Sequence, residues 1–370
     1  MESADSADAV VIGGGLLGAA TAYQLARRGR SVTLVDRADA GRATAAGAGI
    51  LAPQTSTSFG DDLLELSLSA LRHYVDLQQD LASDGFADTG YAASEVLIVA
   101  SADDDQQRFA RVREVLLARH PGVVADISPT DALTLFPALA EVKGALLASG
   151  CARVDGRLLV AALRAAGRGR GVVELEADAL RIDERGTGAQ VHLHNGTVLA
   201  GTDVVIAAGA WSAELAGPLG FVLPVEAQRG QIVHLHAPAA VDAQWPIVEG
   251  LRGHYILPWP SGRVVCGATR ETGSGLDPTL TLTGCEEVLR EAHRLAPGLA
   301  QARIVEWRVG LRPLSTTGRP LVGSVPGLDH VHLATGHGPN GLLLGPYCGM
   351  LLAESLATGR RPADLALLAP

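Results

Sequence analysis

The residues with the clearest chemical reading stand at the start of the chain, where Ala9 to Asp36 reads AVVIGGGLLGAATAYQLARRGRSVTLVD. An apolar run, Val10-Val11-Ile12, meets the turn Gly13-Gly14-Gly15-Leu16-Leu17-Gly18. A helical stretch follows to Arg28, Gly29 closes it, and a second apolar run ends in Asp36. Gly13 permits a tight turn, Gly15 lets a pyrophosphate approach the backbone, and Gly18 lets helix and strand pack closely. The helix N-terminus offers N–H groups and the positive end of its dipole to phosphate. Asp36 puts a carboxylate where ribose hydroxyls would lie. A glycine triplet alone is weak evidence. Strand, turn, helix, strand and acid in that order point to a bound dinucleotide.

Other reactive residue types form no set. Cys151, Cys266, Cys285 and Cys348 are scattered, with no CxxC and no metal-ligand spacing. His192/His194 and His234/His236 are pairs two apart on strands, so each pair shares one face without further ligands nearby. No metal is expected. Asp103-Asp104-Asp105 reads as the solvated start of a helix.

The elements that must position the glycine turn follow from composition and periodicity. At 370 residues, with 47% hydrophobic and 19% charged, the chain suits two domains around large cores. A net charge of −10 disfavours a nucleic-acid partner. Lys143 is the single lysine among 30 basic residues, a coding bias and not a binding adaptation. The N-terminal MESADSAD lacks the basic and apolar regions of a secretory signal. Leu342-Leu343-Leu344 is followed by Gly345-Pro346, which the sequence reading takes as a break. No segment is therefore expected to span a bilayer, and a cytoplasmic protein is expected.

Helices are predicted over 63–81, 103–119, 158–166, 286–295 and 341–358. Strands are predicted over 95–100, 231–235, 254–257, 263–266, 307–314 and 331–334, with one or two more within 172–182. Residues 41–49 read as a small-residue loop and 121–137 as turn-rich. A hairpin is predicted from 190–193 to 197–199 about Asn195-Gly196. A separate buried strand from Asp203 runs into a glycine turn and a helix.

Six motifs now stand in order: VVIGGGLLGAATAYQLARRG with Asp36, GRATAAGAGIL, DVVIAAGAWS, GHYILPWPSGRVVCGATRE, GLRPLSTTGRPLVG and ATGHGPNGLLLGP. They resemble the FAD-dependent amine oxidoreductases that include D-amino-acid oxidase, sarcosine oxidase and glycine oxidase, with the closest likeness to glycine oxidase. The resemblance covers nearly the whole chain. It implies an α/β fold: a Rossmann-type FAD-binding domain (1–85, 145–222, 305–370) and a discontinuous α+β substrate domain with an antiparallel sheet (86–144, 223–304). By that likeness Gly13, Gly15 and Gly18 cradle the pyrophosphate, and Leu16 and Leu17 supply N–H groups. Asp36, with Arg37, holds the adenosine side. Arg42, Ala43 and Thr44 flank the pyrophosphate, and Ala48, Gly49 and Ile50 run beside the flavin ring. Ala179 offers a backbone contact to adenine, and Gly209 and Trp211 join the same site. His337, Gly338, Pro339, Asn340, Gly341 and Leu342 begin the C-terminal helix against the flavin. Arg312 and Tyr255 match the family's anchors for the substrate carboxylate.

The resemblance implies hydride transfer from the substrate Cα to the flavin, then imine hydrolysis, with protein groups supplying orientation. That chemistry requires no Ser-His-Asp or paired-carboxylate set. Three readings stay open: an oxidase of glycine or N-substituted glycines using oxygen, a D-amino-acid dehydrogenase with another electron acceptor, and a non-enzymatic FAD-binding subunit. Retention of both anchors disfavours the third. Sarcosine-type relatives place a lysine beside the flavin, whereas Lys143 lies outside the matching region. Sarcosine-type relatives attach their flavin to a cysteine near the arginine turn; Trp307 to Pro313 holds none, so the resemblance implies non-covalent FAD. Glycine oxidases carry an aromatic and an arginine where Gly338 and Pro339 stand here. The substrate side is therefore expected to be wider and less polar, suiting an N-substituted glycine split into glyoxylate and an amine, as in a tailoring step of secondary metabolism. This reading leaves both a monomer and a homo-oligomer open.

Overall fold

The computed structural model describes residues 6–101, 106–237 and 244–370. Asp103-Asp104-Asp105 therefore lies outside the described residues, and the helix that follows spans Gln106–Arg119.

Two sheets organise the chain. In the first, β1 (Ser6–Ile12) lies between β2 (Val32–Asp36) and Val198–Ile206, with Val173–Glu176 and Val331–Thr335 outside them, all parallel. Leu321–Ser324 adds an antiparallel edge. Its strands are near-continuous apolar runs because both faces are covered. One face packs on α1 (Leu16–Arg27), Gly156–Gly169, Asp61–Ser83 and Gly341–Thr358, and the other on the hairpin strands and Leu215 to Val225. The hairpin about Asn195-Gly196 forms with Gly196 at φ +87°. The two strands expected beyond its turn are one, Val198–Ile206, because Gly201 keeps its register between β1 and the hairpin partner.

The second sheet runs Glu271–Thr272, Val225–His236, Arg263–Gly267, Tyr255–Pro258, Ile247–Gly250, Ala92–Ser101, Val142–Arg153 and Ile50–Leu51. Arg303–Ser315 also pairs along Val225–His236, and Val124–Ile127 pairs with Val142–Arg153. Its pairings are antiparallel except Ile247–Gly250 on Ala92–Ser101, which is parallel. Those two strands lie far apart in sequence, so no hairpin dictates their direction. Val142–Arg153 and Arg303–Ser315 cross positions 145 and 305, and both hydrogen-bond into this sheet.

Local order differs from expectation in two further places. Residues 41–49 are not a plain loop: Ala43–Ala46 is a helical turn and Ile50–Leu51 a short strand. Gly345-Pro346 does not break the C-terminal helix, which runs unbroken over Gly341–Thr358. Gly345 and Gly349 instead let it approach α1. A Cβ at 345 would lie 2.6 Å from Leu17, and one at 349 would lie 3.0 Å from Ala20 and from the Thr21 amide. Pro346 cannot donate to Leu342, four residues earlier. The buried Tyr74 hydroxyl donates to that carbonyl instead. The stretch Gly338–Thr358 is, against expectation, long and apolar enough to cross a membrane, but half of it is buried against this core.

Candidate active site

The first sheet delivers the glycine turn to one end of a cavity of about 440 Å³. Gly13 has φ +110°, and a Cβ there would lie 2.4 Å from the Ala207 carbonyl. A Cβ at Gly18 would lie 1.8 Å from the Gly13 carbonyl. These two glycines are demanded by the protein's own packing. Gly15 differs: a Cβ there would meet nothing nearer than the Thr44 hydroxyl at 3.6 Å. The protein leaves its face bare toward the cavity, which is what a pyrophosphate on a helix N-terminus needs. The Leu16 amide donates to Thr44 Oγ1 at 3.2 Å, tying the turn to the 43–46 helical turn.

Asp36 ends β2 and is buried. Its Oδ2 accepts from Arg42 Nη1 at 3.0 Å and Arg164 Nη1 at 3.1 Å. Oδ1 has no donor among the described residues and is available to a hydroxyl. Arg37 is held by Asp39 and Asp178, with its guanidinium 6.0 Å from the Trp211 ring centre. Ala179 and Trp211 line the same end.

Small residues close the middle. Gly49 has φ +100°, and a Cβ there would strike the Val154 carbonyl at 1.9 Å. Ala43, Ala48, Ile50, Gly209, Gly338, Pro339, Gly341 and Leu342 line the cavity with it. His337 is 3% exposed, and neither ring nitrogen has a hydrogen-bond partner. Burial pushes its pKa down to about 4, partly offset by the Thr335 backbone, whose contact with the ring falls short of a hydrogen bond. An imidazole left without a hydrogen bond in the cavity wall has polar capacity to spare.

The second sheet supplies the other end. Arg312 lies on Arg303–Ser315 in register with Gln228. Its Nη1 donates to the Thr269 carbonyl at 3.0 Å and to Gln228 Oε1 at 3.3 Å. It has no carboxylate partner among the described residues, and burial lowers its pKa. Gly230 makes room for it, since a Cβ there would lie 2.3 Å from Nη2. Tyr255 pairs with Gly267, where a Cβ would lie 2.7 Å from the phenol oxygen. Burial pushes the Tyr255 phenol up to about 12, although the Arg312 and Arg270 charges pull the other way. At neutral pH the phenol is a hydrogen-bond donor.

The structure thus gathers the residues singled out from the sequence around one cavity, apart from Gly18 and Asn340. Gly18 packs behind the turn, and Asn340 lies at the start of the C-terminal helix. Sequence reasoning missed Gly230, Gln228 and Arg270. Arg270 stands within the motif GATRE, directly after the strand that faces Tyr255, and that position was its signal. Bare Gly15, the free Asp36 oxygen and the orphaned His337 together fit a dinucleotide stretched across the cavity, with Arg312 and Tyr255 beyond it.

Comparison with known proteins agrees with this geometry. Residues 8–355 match the family model described as FAD dependent oxidoreductase. The glycine oxidase of Pseudomonas aeruginosa is 34% identical over 95% of each chain. An oxidoreductase of Bacillus subtilis is 37% identical over 96% of each. Among solved structures, the iminodiacetate oxidase of Chelativorans sp. BNC1 superposes with a TM-score of 0.91, 35% identity and 98% of each chain covered.

Proposed function

The chain belongs to the FAD-dependent oxidoreductase family and is an oxidoreductase of glycine oxidase type, and on that premise we propose that it oxidises glycine or N-substituted glycines, with oxygen as electron acceptor. The observation that carries this reading is Arg312: a guanidinium without a carboxylate partner among the described residues, near the protonated Tyr255 hydroxyl, in the wall of the cavity that the glycine turn also lines. The iminodiacetate oxidase among its neighbours supports including secondary amines, since iminodiacetate is an N-substituted glycine.

In this reading Gly13, Gly15, Leu16, Leu17 and Thr44 hold the FAD pyrophosphate, Asp36 the ribose, and Ala48 to Ile50 with His337 to Leu342 the ring. Bound FAD supplies the two-electron acceptor for the C–H bond beside the substrate nitrogen, and water cleaves the resulting C=N bond into glyoxylate and an amine. Arg312 holds the substrate carboxylate through charge-assisted hydrogen bonds. Tyr255 donates to the same carboxylate and fixes its rotation. Gln228 and the Thr269 carbonyl keep the guanidinium aimed at the cavity. His337, neutral above about pH 4, adds no fixed charge to the wall. The same reading takes 1–85, 145–222 and 305–370 as the cofactor-binding part and 86–144 with 223–304 as the substrate part, in a cytoplasmic enzyme.

The test is hydrogen peroxide production over glycine, N-methyl-, N-butyl- and N-hexylglycine, iminodiacetate and several D-amino acids. Peroxide and glyoxylate from glycine or its N-substituted forms are expected. Turnover only with an artificial dye, and only of D-amino acids, would replace this reading with a dehydrogenase.

A further inference from the structure

Beside Arg312 the cavity holds a further guanidinium that neither the fold nor the family description accounts for. Arg270 lines the same wall as Arg312 and Tyr255, is exposed, and donates from Nη1 to the Gly253 carbonyl at 2.9 Å. It has no ion pair among the described residues. Arg312 has none either, and the two cations repel each other.

The neighbouring acids do not neutralise them. Glu271 is taken up by Arg229, Gln231 and Thr269. Glu249 faces Tyr255 across the strand pair, and burial biases its carboxyl toward the neutral form. His254, also within reach of Arg270, is biased toward its neutral form by burial. One end of the cavity therefore carries two positive charges, while a simple amino acid brings one carboxylate. A glycine bearing a plain alkyl group on nitrogen would leave Arg270 unmatched.

Resting on the reading above, we propose that Arg270 is a specificity-determining residue that binds a second acidic group, carried on the substrate's nitrogen substituent. The preferred substrates are then secondary amines with two carboxylates, one held by Arg312 and Tyr255 and the other by Arg270. The cation missing at Gly338-Pro339 is thus supplied from a different element.

The test uses the FAD-loaded enzyme and two ligands without an amine to oxidise. Oxydiacetate is the ether counterpart of a diacid amine, and methoxyacetate keeps only one carboxylate. Binding is followed by the change in flavin absorbance. The wild type is expected to bind oxydiacetate about tenfold more tightly than methoxyacetate, the range for one partly solvated charge pair. Arg270→Gln should bring that ratio below about three, and Arg270→Lys should restore part of it. Arg312→Gln should weaken both ligands. Raising salt should reduce the ratio in the wild type and leave it flat in Arg270→Gln. A wild-type ratio near one, or an Arg270→Gln variant that keeps the wild-type ratio, would overturn the proposal. Turnover separates the two readings. If the ratio behaves as expected but no N-substituted glycine is oxidised, the oxidase reading fails and the diacid site stands. If N-butylglycine is oxidised better than iminodiacetate and the binding ratio is one, only the diacid site fails.

Discussion

Removing one oxygen atom from Tyr74 should loosen the cofactor-side wall through a helix that a proline ought to have broken. Tyr74 is fully buried on Asp61–Ser83, and its hydroxyl donates to the Leu342 carbonyl. In an uninterrupted helix that carbonyl would accept from residue 346, but Pro346 has no N–H. Tyr74→Phe keeps the ring, including its stacking on Tyr91 at 5.6 Å, and deletes only the donor. The carbonyl is then buried and unsatisfied, at a cost of about 1–3 kcal/mol. Unfolding entropy scales to about 0.8 kcal/mol per kelvin for a chain of this length, so Tm should fall by about 1–4 °C.

The assay is thermal unfolding of the FAD-loaded protein followed by circular dichroism, over a fourfold set: wild type, Tyr74→Phe, Pro346→Ala and the double variant. Pro346→Ala returns an N–H to the helix, so in the Tyr74→Phe background it should recover at least half of the loss. Leu342 lines the cavity, so Tyr74→Phe should also release FAD faster. Unchanged Tm in Tyr74→Phe would refute the reasoning. Additive behaviour of the two substitutions would show that the hydroxyl and the missing amide are unrelated.

Further outcomes follow from the site. Acid precipitation should free all the flavin, because the 307–313 strand offers no cysteine for a covalent bond; yellow colour staying with the pellet would contradict this. Arg312→Ala should keep FAD and lose about 2–5 kcal/mol of transition-state stabilisation in kcat/KM, with Arg312→Lys recovering only part because the two-pronged geometry is lost. Gly230→Ala should imitate that loss, since its Cβ would lie 2.3 Å from the guanidinium, and a near-normal KM would show the arginine has room to move. His337 is neutral in the fold down to about pH 4, whereas an unfolded histidine gains its proton near 6.5. The unfolded state thus binds more protons between these values, so stability should fall as pH drops from 6.5 toward 4. His337→Gln should flatten that decline, as measured by Tm against pH.

What was legible in the sequence was what single side chains or short spacings decide. Val10, Val11 and Ile12 are β-branched and suit a buried strand, and the glycine turn that follows them is a short-range signal. The same holds for Arg312 and Tyr255, which stood in motifs. Val142–Arg153 was not legible: VKGALLASGCAR is mostly small residues with weak β preference, and it is a strand because Ala92–Ser101 and Val124–Ile127 pair on either side of it. The run through Pro346 was hidden for a related reason, since the donor that tolerates it lies 268 residues away in sequence. Arg270 belongs with these. As one arginine among many it reads as a surface charge, and only the fold reveals that it shares a wall with Arg312 and that the acids beside it are engaged or biased toward neutrality. The motifs hold the residues proposed for the cradle and the carboxylate anchor. The residue that we propose selects among substrates is visible only as an unbalanced charge, and charge balance is a property of the assembled cavity.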